Sequence, residues 1–346
     1  MRTVRPAPGA QNGCVSDLGP ESVADARALA AVRERYARFA GEAVGRSEVY
    51  REWADGIVGD SAVQRVIARV PENRRQAPLV FAVARMLGAP LEGYPALAGW
   101  IHAHADELVT ETSRRSLQTN EPQRAAVLLP ALAEISGPLA VIEVGASAGL
   151  CLIPDRYSYR YRGAADIALG TGELVLHTEL RGACAPTSVN AMPEITWRAG
   201  IDLAPLSSAN PADRAFLTAL VWPGEEGREA RITAALDAAA SDPPRIVAGD
   251  ATEPGVLAAL AADARASAPA ATLVVMTPGV LPHIPRAGCD TLAGEIRALG
   301  AVWISIEPAG TFGPSPGIPA GAFVLRRDDE ILAACDPLGS WVEWRR

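Results

Sequence analysis

Apolar residues in the first third of the chain recur at the spacing of an α-helix. The clearest series is Leu29, Val32, Tyr36 and Phe39. Steps of three and four residues place such a series on one helix face. The pattern returns at residues 61–70, 77–87 and 95–117. It predicts a helical domain over residues 21–135. Residues 1–20 are predicted to be a flexible segment because they are rich in Gly, Pro, Asn and Ser.

Short apolar runs replace the helical pattern after residue 136. The first run, Leu139–Val144, is bounded by turn residues, as expected for a buried strand of a parallel sheet. Further runs predict strands at residues 195–201, 245–248, 272–276, 302–306, 322–326 and 341–344. Alanine-rich stretches predict helices at residues 213–220, 230–240, 255–266 and 289–299. Strands that alternate with helices indicate βαβ units.

These elements predict an α/β protein in two parts. Residues 136–346 are expected to form a Rossmann-like, mostly parallel sheet, and the helical domain precedes it. A β-rich insert is predicted at about residues 157–195, because residues 157–162 and 173–179 have strand-like composition. The last strands are expected to include an antiparallel hairpin.

Composition excludes several classes of function. The net charge is −8, and all 32 basic residues are arginine. An acidic chain lacks the basic stripe that a nucleic-acid partner requires. Without lysine, the chain cannot form a Walker A P-loop or a Schiff base with pyridoxal phosphate. We therefore expect a small-molecule substrate and no nucleic-acid partner. The sequence leaves the oligomeric state open.

The cysteines and the N-terminal residues indicate a compartment. Five cysteines are scattered without a Cys-x-x-Cys pair, which is typical of a reducing environment. The first ten residues lack the apolar stretch of a secretory signal, and no long uncharged apolar segment predicts a membrane span. We expect a cytoplasmic protein without a membrane partner. No metal site is predicted, because His102 and His104 point to different faces of a helix.

The sharpest local motif follows the first predicted strand. Its sequence is Glu143-Val-Gly145-Ala-Ser147-Ala-Gly149. One interpretation is a glycine-rich turn that lets the backbone approach a cofactor closely. The same letters spell Gly-x-Ser-x-Gly, the nucleophile elbow of serine hydrolases, and Asp250 and His283 follow in the matching order. Because the elbow needs earlier strands and none is predicted before residue 139, the cofactor interpretation is favoured. A turn that binds nothing is the third interpretation.

This motif resembles motif I of class I S-adenosylmethionine-dependent methyltransferases, which pairs an acidic residue on the strand with small residues after it. The order of later segments is similar. The resemblance implies that Asp202 binds the ribose hydroxyls, that Asp250 faces the adenine amine, and that Glu143 faces the cofactor ammonium group. The implied cofactor-binding residues are Glu143, Gly145, Ala146, Ser147, Gly149, Asp202, Asp250, Ala251 and Thr277. If the insert supplied the second strand, a residue of the insert would take the ribose instead of Asp202.

Over most of residues 115–346, the chain also resembles DUF2332, an uncharacterised bacterial family. The resemblance rests on the Thr119-Asn120-Glu121 motif with Arg124, on residues 143–150, on the Asp155-Arg-Tyr157-Ser-Tyr159 segment, and on the tryptophan-rich end at residues 341–344. It implies polar substrate-binding residues that close over the cofactor from the helical domain. The residues are Thr119, Asn120, Glu121 and Arg124. The simpler interpretation of that motif is a helix N-cap with proline in the first turn.

Four further residues are candidates for catalysis. His283 follows the fourth strand of the predicted cofactor-binding core and is the first candidate for a general base; Glu307, at the end of the next strand, is the second. Tyr157 and Tyr159 could present an aromatic face to a sulfonium cation. A strand face packed against the core is the alternative for the tyrosines, and simple exposure is the alternative for His283.

Together, these features predict an S-adenosylmethionine-dependent transferase, with a methyl group as the expected cargo and a small molecule as the acceptor. A serine hydrolase with Ser147, Asp250 and His283 is the main alternative. A ligand sensor without chemistry is another. An enzyme that transfers another carbon of S-adenosylmethionine is the last.

Overall fold

The computed structural model describes residues 20–186 and 191–345, so residues 1–19 of the flexible segment predicted at residues 1–20 lie outside the described residues. The first part of the chain is helical, as predicted. Its helices are α1 (Pro20–Ala43), α2 (Glu48–Gly59), α3 (Ser61–Ala68), α4 (Ala77–Met86), α5 (Tyr94–Ala103), α6 (Ala105–Arg114) and α7 (Ala125–Ala133).

The helix predicted over residues 95–117 is broken in the structure. His104 leaves helical geometry with φ −121° and ψ 25°, and its ring stacks on Trp100. Both its backbone N–H and its Nδ1 lie within hydrogen-bond distance of the Trp100 carbonyl. These contacts end α5 and let α6 begin in a new direction.

An aromatic cluster holds the helical part together. The ring of Phe81 packs edge-on against Tyr36, with centroids 5.7 Å apart, and against Trp53, with centroids 5.2 Å apart. Such pairs contribute roughly 0.5–1.5 kcal/mol beyond the burial of their area. Trp222, from the second part of the chain, packs against Phe39 with the two ring centroids 5.0 Å apart. The two parts therefore share a core rather than meeting only through a linker.

The second part of the chain forms one sheet of eleven strands. The strands are β1 (Leu139–Val144), β2 (Ser158–Gly163), β3 (Ile167–Leu169), β4 (Val175–Arg181), β5 (Ile195–Asp202), β6 (Arg245–Ala248), β7 (Thr272–Pro278), β8 (Val302–Pro308), β9 (Phe323–Arg327), β10 (Glu330–Cys335) and β11 (Trp341–Trp344). Their order is β3-β2-β4-β11-β10-β9-β8-β7-β1-β5-β6. Most neighbouring pairs are parallel, and the β2–β3, β8–β9, β9–β10 and β10–β11 pairs are antiparallel.

Helices cover both faces of the central strands. They are α7 together with α8 (Pro211–Ala219), α9 (Arg228–Ala240), α10 (Val256–Ser267) and α11 (Arg286–Ala298). Alternate residues of β1 point to opposite faces: Ala140 and Ile142 pack with α10 and α11, and Leu139 and Val141 pack with α7 and α9. This two-sided burial explains the continuous apolar sequence of the strand. Across the described residues, no helix has both the length and the apolar composition to cross a membrane.

The sheet order places the candidate loop. β5 pairs with β1 on one side and β7 pairs with it on the other, both in parallel. The strand order therefore reverses at β1, and doubly wound sheets bind ligands outside the carboxyl ends of the strands at such a point. The β2–β4 insert joins the far end of the sheet through β11. The strand beside β1 is therefore the one that ends in Asp202, and the insert does not take that place.

Candidate functional site

A cavity of about 430 Å³ lies at the carboxyl ends of β1, β5, β6 and β7. Its volume lies within the range of small-molecule sites. Two segments of the helical part, residues 73–76 and 116–119, contribute to its wall. The sheet contributes Val144, Gly145, Ser147, Ile201, Asp202, Leu203, Gly249, Asp250, Ala251, Pro278, Gly279, Val280, His283 and Ile284, and Arg124 completes the lining.

The turn after β1 is tightly constrained. Gly145 and Ser147 have positive φ values of 74° and 53°. A Cβ on Gly145 would lie 2.6 Å from Val280 Cγ2, so the turn and the loop after β7 approach each other too closely for any side chain. Ser147 is the unusual case, because positive φ is strained for a residue with a side chain.

Most of the backbone donors of this turn are already engaged. The N–H groups of Gly145 and Ala146 donate to the Ile201 carbonyl, at 2.8 and 3.2 Å. The Ser147 N–H donates to Asp202 Oδ2 at 2.8 Å, and the Gly149 N–H donates to Ala146 at 2.7 Å. The chain then forms turns and a short 3₁₀ segment instead of an α-helix. Of residues 145–149, only Ala148 has an N–H group without a hydrogen bond to the described residues, so the loop offers one free donor and no helix N-terminus, whereas dinucleotide-binding folds hold the pyrophosphate with several such donors.

Two aspartates border the cavity at neighbouring strand ends. Asp202, at the end of β5, accepts hydrogen bonds from the Ser147 and Ala204 N–H groups, each at 2.8 Å. Asp250, after β6, accepts bonds at Oδ1 from the N–H and hydroxyl of Thr252. Its Oδ2 has no hydrogen-bond partner within the described chain. Asp250 can therefore accept a hydrogen bond from a ligand.

Glu143 lies on β1 beneath the cavity and does not line it. Its side chain is 3% exposed. Its Oε2 has no hydrogen-bond partner in the structure as described. Burial raises its pKa well above the usual value, the nearby Arg124 guanidinium opposes this, and the Asp202 carboxylate adds to it. A buried carboxyl without a partner needs a proton or a neighbouring cation.

Arg124 is the cation nearest to these acids. It is buried, lines the cavity, and donates from Nη1 to the Pro278 carbonyl at 2.6 Å and from Nε to the Pro337 carbonyl at 2.9 Å. These two bonds fix the guanidinium against the loops that follow β7 and β10. Its position fits the predicted polar residue that closes the site from the helical side.

His283 and Glu307 occupy different positions around the loop after β7. His283 ends a short 3₁₀ turn and lines the cavity. Glu307 lies behind that turn, where its Oε1 accepts the N–H groups of Val280 and Leu281, each at 3.2 Å. Burial raises the pKa of Glu307 to about 8, although these backbone hydrogen bonds lower it in part. Glu307 positions the loop, whereas His283 can meet a substrate.

Four more of the proposed residues are buried away from the cavity wall. Tyr157 and Tyr159 are fully buried, and their hydroxyls donate to the carbonyls of Leu150, at 2.9 Å, and Pro154, at 2.6 Å. Their rings belong to the core, so the expected aromatic face toward a sulfonium is not present. Thr277 accepts a hydrogen bond from Trp303 at 3.0 Å, inside the core. Glu121 is also buried and accepts bonds from two arginines of α9.

Other predicted residues are distributed around the site. Thr119 lines the cavity, and Asn120 lines a neighbouring smaller one. Ala146 and Gly149 shape the turn without lining the cavity. A Cβ on Gly149 would lie 2.5 Å from Pro244 Cγ, so this position also needs glycine.

Gln118 was not among the predicted residues. Its Oε1 accepts a hydrogen bond from the Ser147 hydroxyl, and its Nε2 donates to the Ala204 carbonyl at 2.7 Å. The helical part is therefore tied directly to the turn after β1. The only signal in the sequence was that Gln118 directly precedes the Thr119 motif.

The hydrolase interpretation meets a specific obstacle. Ser147, Asp250 and His283 line one cavity. However, the Ser147 hydroxyl is bonded to Gln118, and no hydrogen bond joins it to His283 within residues 20–186 and 191–345. The described residues before β1 also form no strand. A nucleophile elbow needs the base in bonding reach of the serine and earlier strands in the sheet.

The fold and site belong to a recognised but uncharacterised class. The family described as "Uncharacterized protein conserved in bacteria (DUF2332)" matches residues 33–344. The chain therefore belongs to the DUF2332 family, and the match includes most of the N-terminal helices. Comparisons with curated proteins and with solved structures found no match.

Proposed function

We propose that this protein is an S-adenosylmethionine-dependent transferase that acts on a small molecule. The observation that carries the proposal is the pair of aspartates at the ends of β5 and β6, beside a turn in which all but one of the backbone donors of residues 145–149 are engaged. Ribose hydroxyls and an adenine amine are donors, so carboxylates suit them. A pyrophosphate would find two carboxylates and few free donors, and this argues against a dinucleotide.

The charges of the site also favour a cofactor with a cationic portion. Asp202 and Asp250 line the cavity, and Glu143 lies beneath it without a hydrogen-bond partner for Oε2. A cation in the cavity would favour the ionised form of Glu143. We assign Asp202 to the ribose and Asp250 to the adenine amine, and Glu143, which lies beneath the cavity, attracts the ammonium end through its charge. Bound there, S-adenosylmethionine would supply an electrophilic carbon for transfer to the acceptor atom, and its sulfur would keep the electron pair of the bond that breaks.

The chain's own residues supply orientation and proton transfer. His283 faces the cavity from the loop after β7 and accepts the proton that the acceptor loses. Glu307 fixes that loop through two backbone N–H groups. Leu117 and Thr119, from the helical part, close the opposite wall and limit the access of water. Alignment of two reactants in one cavity provides much of the rate enhancement that such transfers need.

Isothermal titration calorimetry with S-adenosylmethionine, S-adenosylhomocysteine and NAD⁺ tests the proposal. We expect both sulfur nucleosides to bind and NAD⁺ not to bind. Asp250→Asn should weaken S-adenosylhomocysteine roughly 10- to 100-fold, because it removes a charged acceptor worth about 1.5–3 kcal/mol. Asp263→Asn is the matched control, since Asp263 lies on α10 and forms an exposed ion pair with Arg245 of β6.

Three outcomes would contradict the proposal. Tight binding of NAD⁺ alone would assign the site to a dinucleotide. Covalent labelling of Ser147 by a fluorophosphonate, lost in Ser147→Ala, would favour the hydrolase. Binding of S-adenosylmethionine without turnover of any acceptor would instead favour a ligand sensor. Mass analysis of a product distinguishes methyl transfer from transfer of another cofactor carbon.

A further inference from the structure

A second cavity adjoins the first one along residues 117–119. Its volume is about 260 Å³. It shares Leu117, Gln118, Thr119 and Arg124 with the first cavity. Its other walls come from α4, from the end of α8, from α9 and from the turn before β11. A molecule bound in the second cavity would therefore lie next to the proposed cofactor.

The charged residues that line the second cavity are all arginines. They are Arg46, Arg124 and Arg228. Glu225 accepts from Arg46 at 2.7 Å and from Arg228 at 2.6 Å, and Glu121 accepts from Arg228 at 2.7 Å and from Arg231 at 2.9 Å. Three arginines therefore share two glutamates, and one positive charge is left unbalanced.

Arg124 adds a second positive charge to this wall. Among the described residues, its guanidinium forms no ion pair with a carboxylate, and its hydrogen bonds go to the Pro278 and Pro337 carbonyls. Within the described residues, Nη2 of Arg124 and Nη2 of Arg228 make no hydrogen bond. Both guanidinium groups retain a donor for an anionic ligand.

An unpartnered amide and an apolar wall complete the second cavity. Asn120 is 8% exposed, and its buried Nδ2 lacks a hydrogen-bond partner in the described structure. Apolar side chains form much of the remaining lining: Leu217, Leu220, Val221, Trp222, Ile232 and Leu338. Guanidinium forks match the geometry of carboxylates, and an amide N–H adds a further donor. The combination suits a small carboxylate with an apolar body.

We propose that the second cavity binds a small organic acid and holds it, by its carboxylate, as the acceptor of the transferred group. The assignment of this acid as the acceptor rests on the proposed transferase function. The binding of the acid itself rests only on the arginines, on Asn120 and on the apolar wall. These two parts can be tested separately.

Ligand-observed NMR on the full chain, with and without S-adenosylhomocysteine, tests this inference. The probes are benzoate, phenylacetate and hexanoate, with benzamide as the neutral match of benzoate and inorganic phosphate as a competing anion. We expect at least one acid to bind at millimolar concentration and benzamide to bind at least tenfold more weakly. Phosphate should not displace the bound acid.

Two variants assign the binding to the second cavity. Arg46 is half-exposed, so Arg46→Gln should fold while weakening the acid at least fivefold. Asn120→Leu should also weaken the acid and leave the affinity for S-adenosylhomocysteine within twofold. Arg245→Gln, which removes an exposed arginine on β6, is the control and should change neither affinity. Circular dichroism confirms that each variant is folded.

The outcomes separate this inference from the proposed function. Binding of S-adenosylhomocysteine without binding of any of the three acids would overturn the inference and leave the cofactor proposal intact. Binding of an acid without the nucleoside would support the cavity assignment and remove the transferase. Displacement of the acid by phosphate, or equal affinity of Arg46→Gln and the unmodified chain, would also overturn the inference.

Discussion

Glu307 provides a test of the loop that carries His283. The carboxyl is buried, accepts two backbone N–H groups at Oε1, and leaves Oε2 without a partner among the described residues. Burial raises its pKa from 4.5 to about 8. In the window between these values the folded chain binds the proton that the unfolded chain has released. The free energy of unfolding therefore falls as pH rises through this window.

The size of this effect follows from the two pKa values. Each unit of pKa corresponds to about 1.4 kcal/mol, so the full loss above pH 8 is about 5 kcal/mol. Glu307→Gln keeps an oxygen that can accept from Val280 and Leu281 and removes the ionisation. The variant should therefore gain stability relative to the unmodified chain as pH rises from 5 to 8, and the difference should level off above pH 9.

Urea denaturation at unit pH steps from 5 to 9 measures this difference. Glu42→Gln is the control, because Glu42 is an exposed residue on α1 and its Oε1 lies 3.9 Å from Arg38 Nε in a weak ion pair. Its curve should run parallel to that of the unmodified chain. If the Glu307→Gln curve also runs parallel, within about 0.5 kcal/mol, then Glu307 does not titrate in the window and the reasoning from its burial is wrong.

Two further substitutions probe the frame of the site by urea denaturation. Glu121→Gln should lower the free energy of unfolding by about 2–4 kcal/mol, because it removes the charge that holds Arg228 and Arg231. The control is Glu179→Gln, which changes an exposed ion pair and should lower the free energy of unfolding by less than about 1 kcal/mol. Gly145→Ala should cost about 2–4 kcal/mol, because it adds a clash with Val280 to the strain of positive φ. Gly137 also has a positive φ but open space around it, so Gly137→Ala should lower the free energy of unfolding by only about 1–2 kcal/mol. Equal losses of stability at both glycines would show that packing against Val280 is unimportant.

The central strands were predictable because burial on both faces leaves a local signal. The apolar run of β1 and its glycine turn identified the strand that lies at the reversal of the sheet order. β3 was not predicted, because three residues at a sheet edge carry too little pattern. β10 was predicted only as an unspecified part of the antiparallel hairpin expected among the last strands. The place of the insert, paired with β11 at the far end of the sheet, depends on pairing between distant residues.

The site residues also differ in whether a local sequence pattern could predict them. Asp202 and Asp250 could be proposed because acids at the ends of adjacent parallel strands meet at one edge of the sheet. Tyr157 and Tyr159 could not be placed, since strand alternation indicates a buried face without revealing what covers it. Their hydroxyls bond carbonyls of the turns that follow β1. The missed Gln118 acts across two parts of the chain, and such a contact leaves no periodic signal.

The spacing of the Thr119-Asn120-Glu121 motif has a physical explanation in the junction between the two parts. Thr119 lines both cavities, and Asn120 lines only the second. Glu121 binds two arginines of α9, and Arg124, one 3₁₀ turn later, reaches both cavities. Because the ion pairs of Glu121 fix the backbone, the side chains before and after it are held at defined positions. Glu121 is also the predicted N-cap, because its Oε1 accepts the Gln123 N–H at 3.1 Å ahead of Pro122, but an N-cap alone would need none of the arginines. The motif therefore couples the rigidity of the junction to the shape of both cavities.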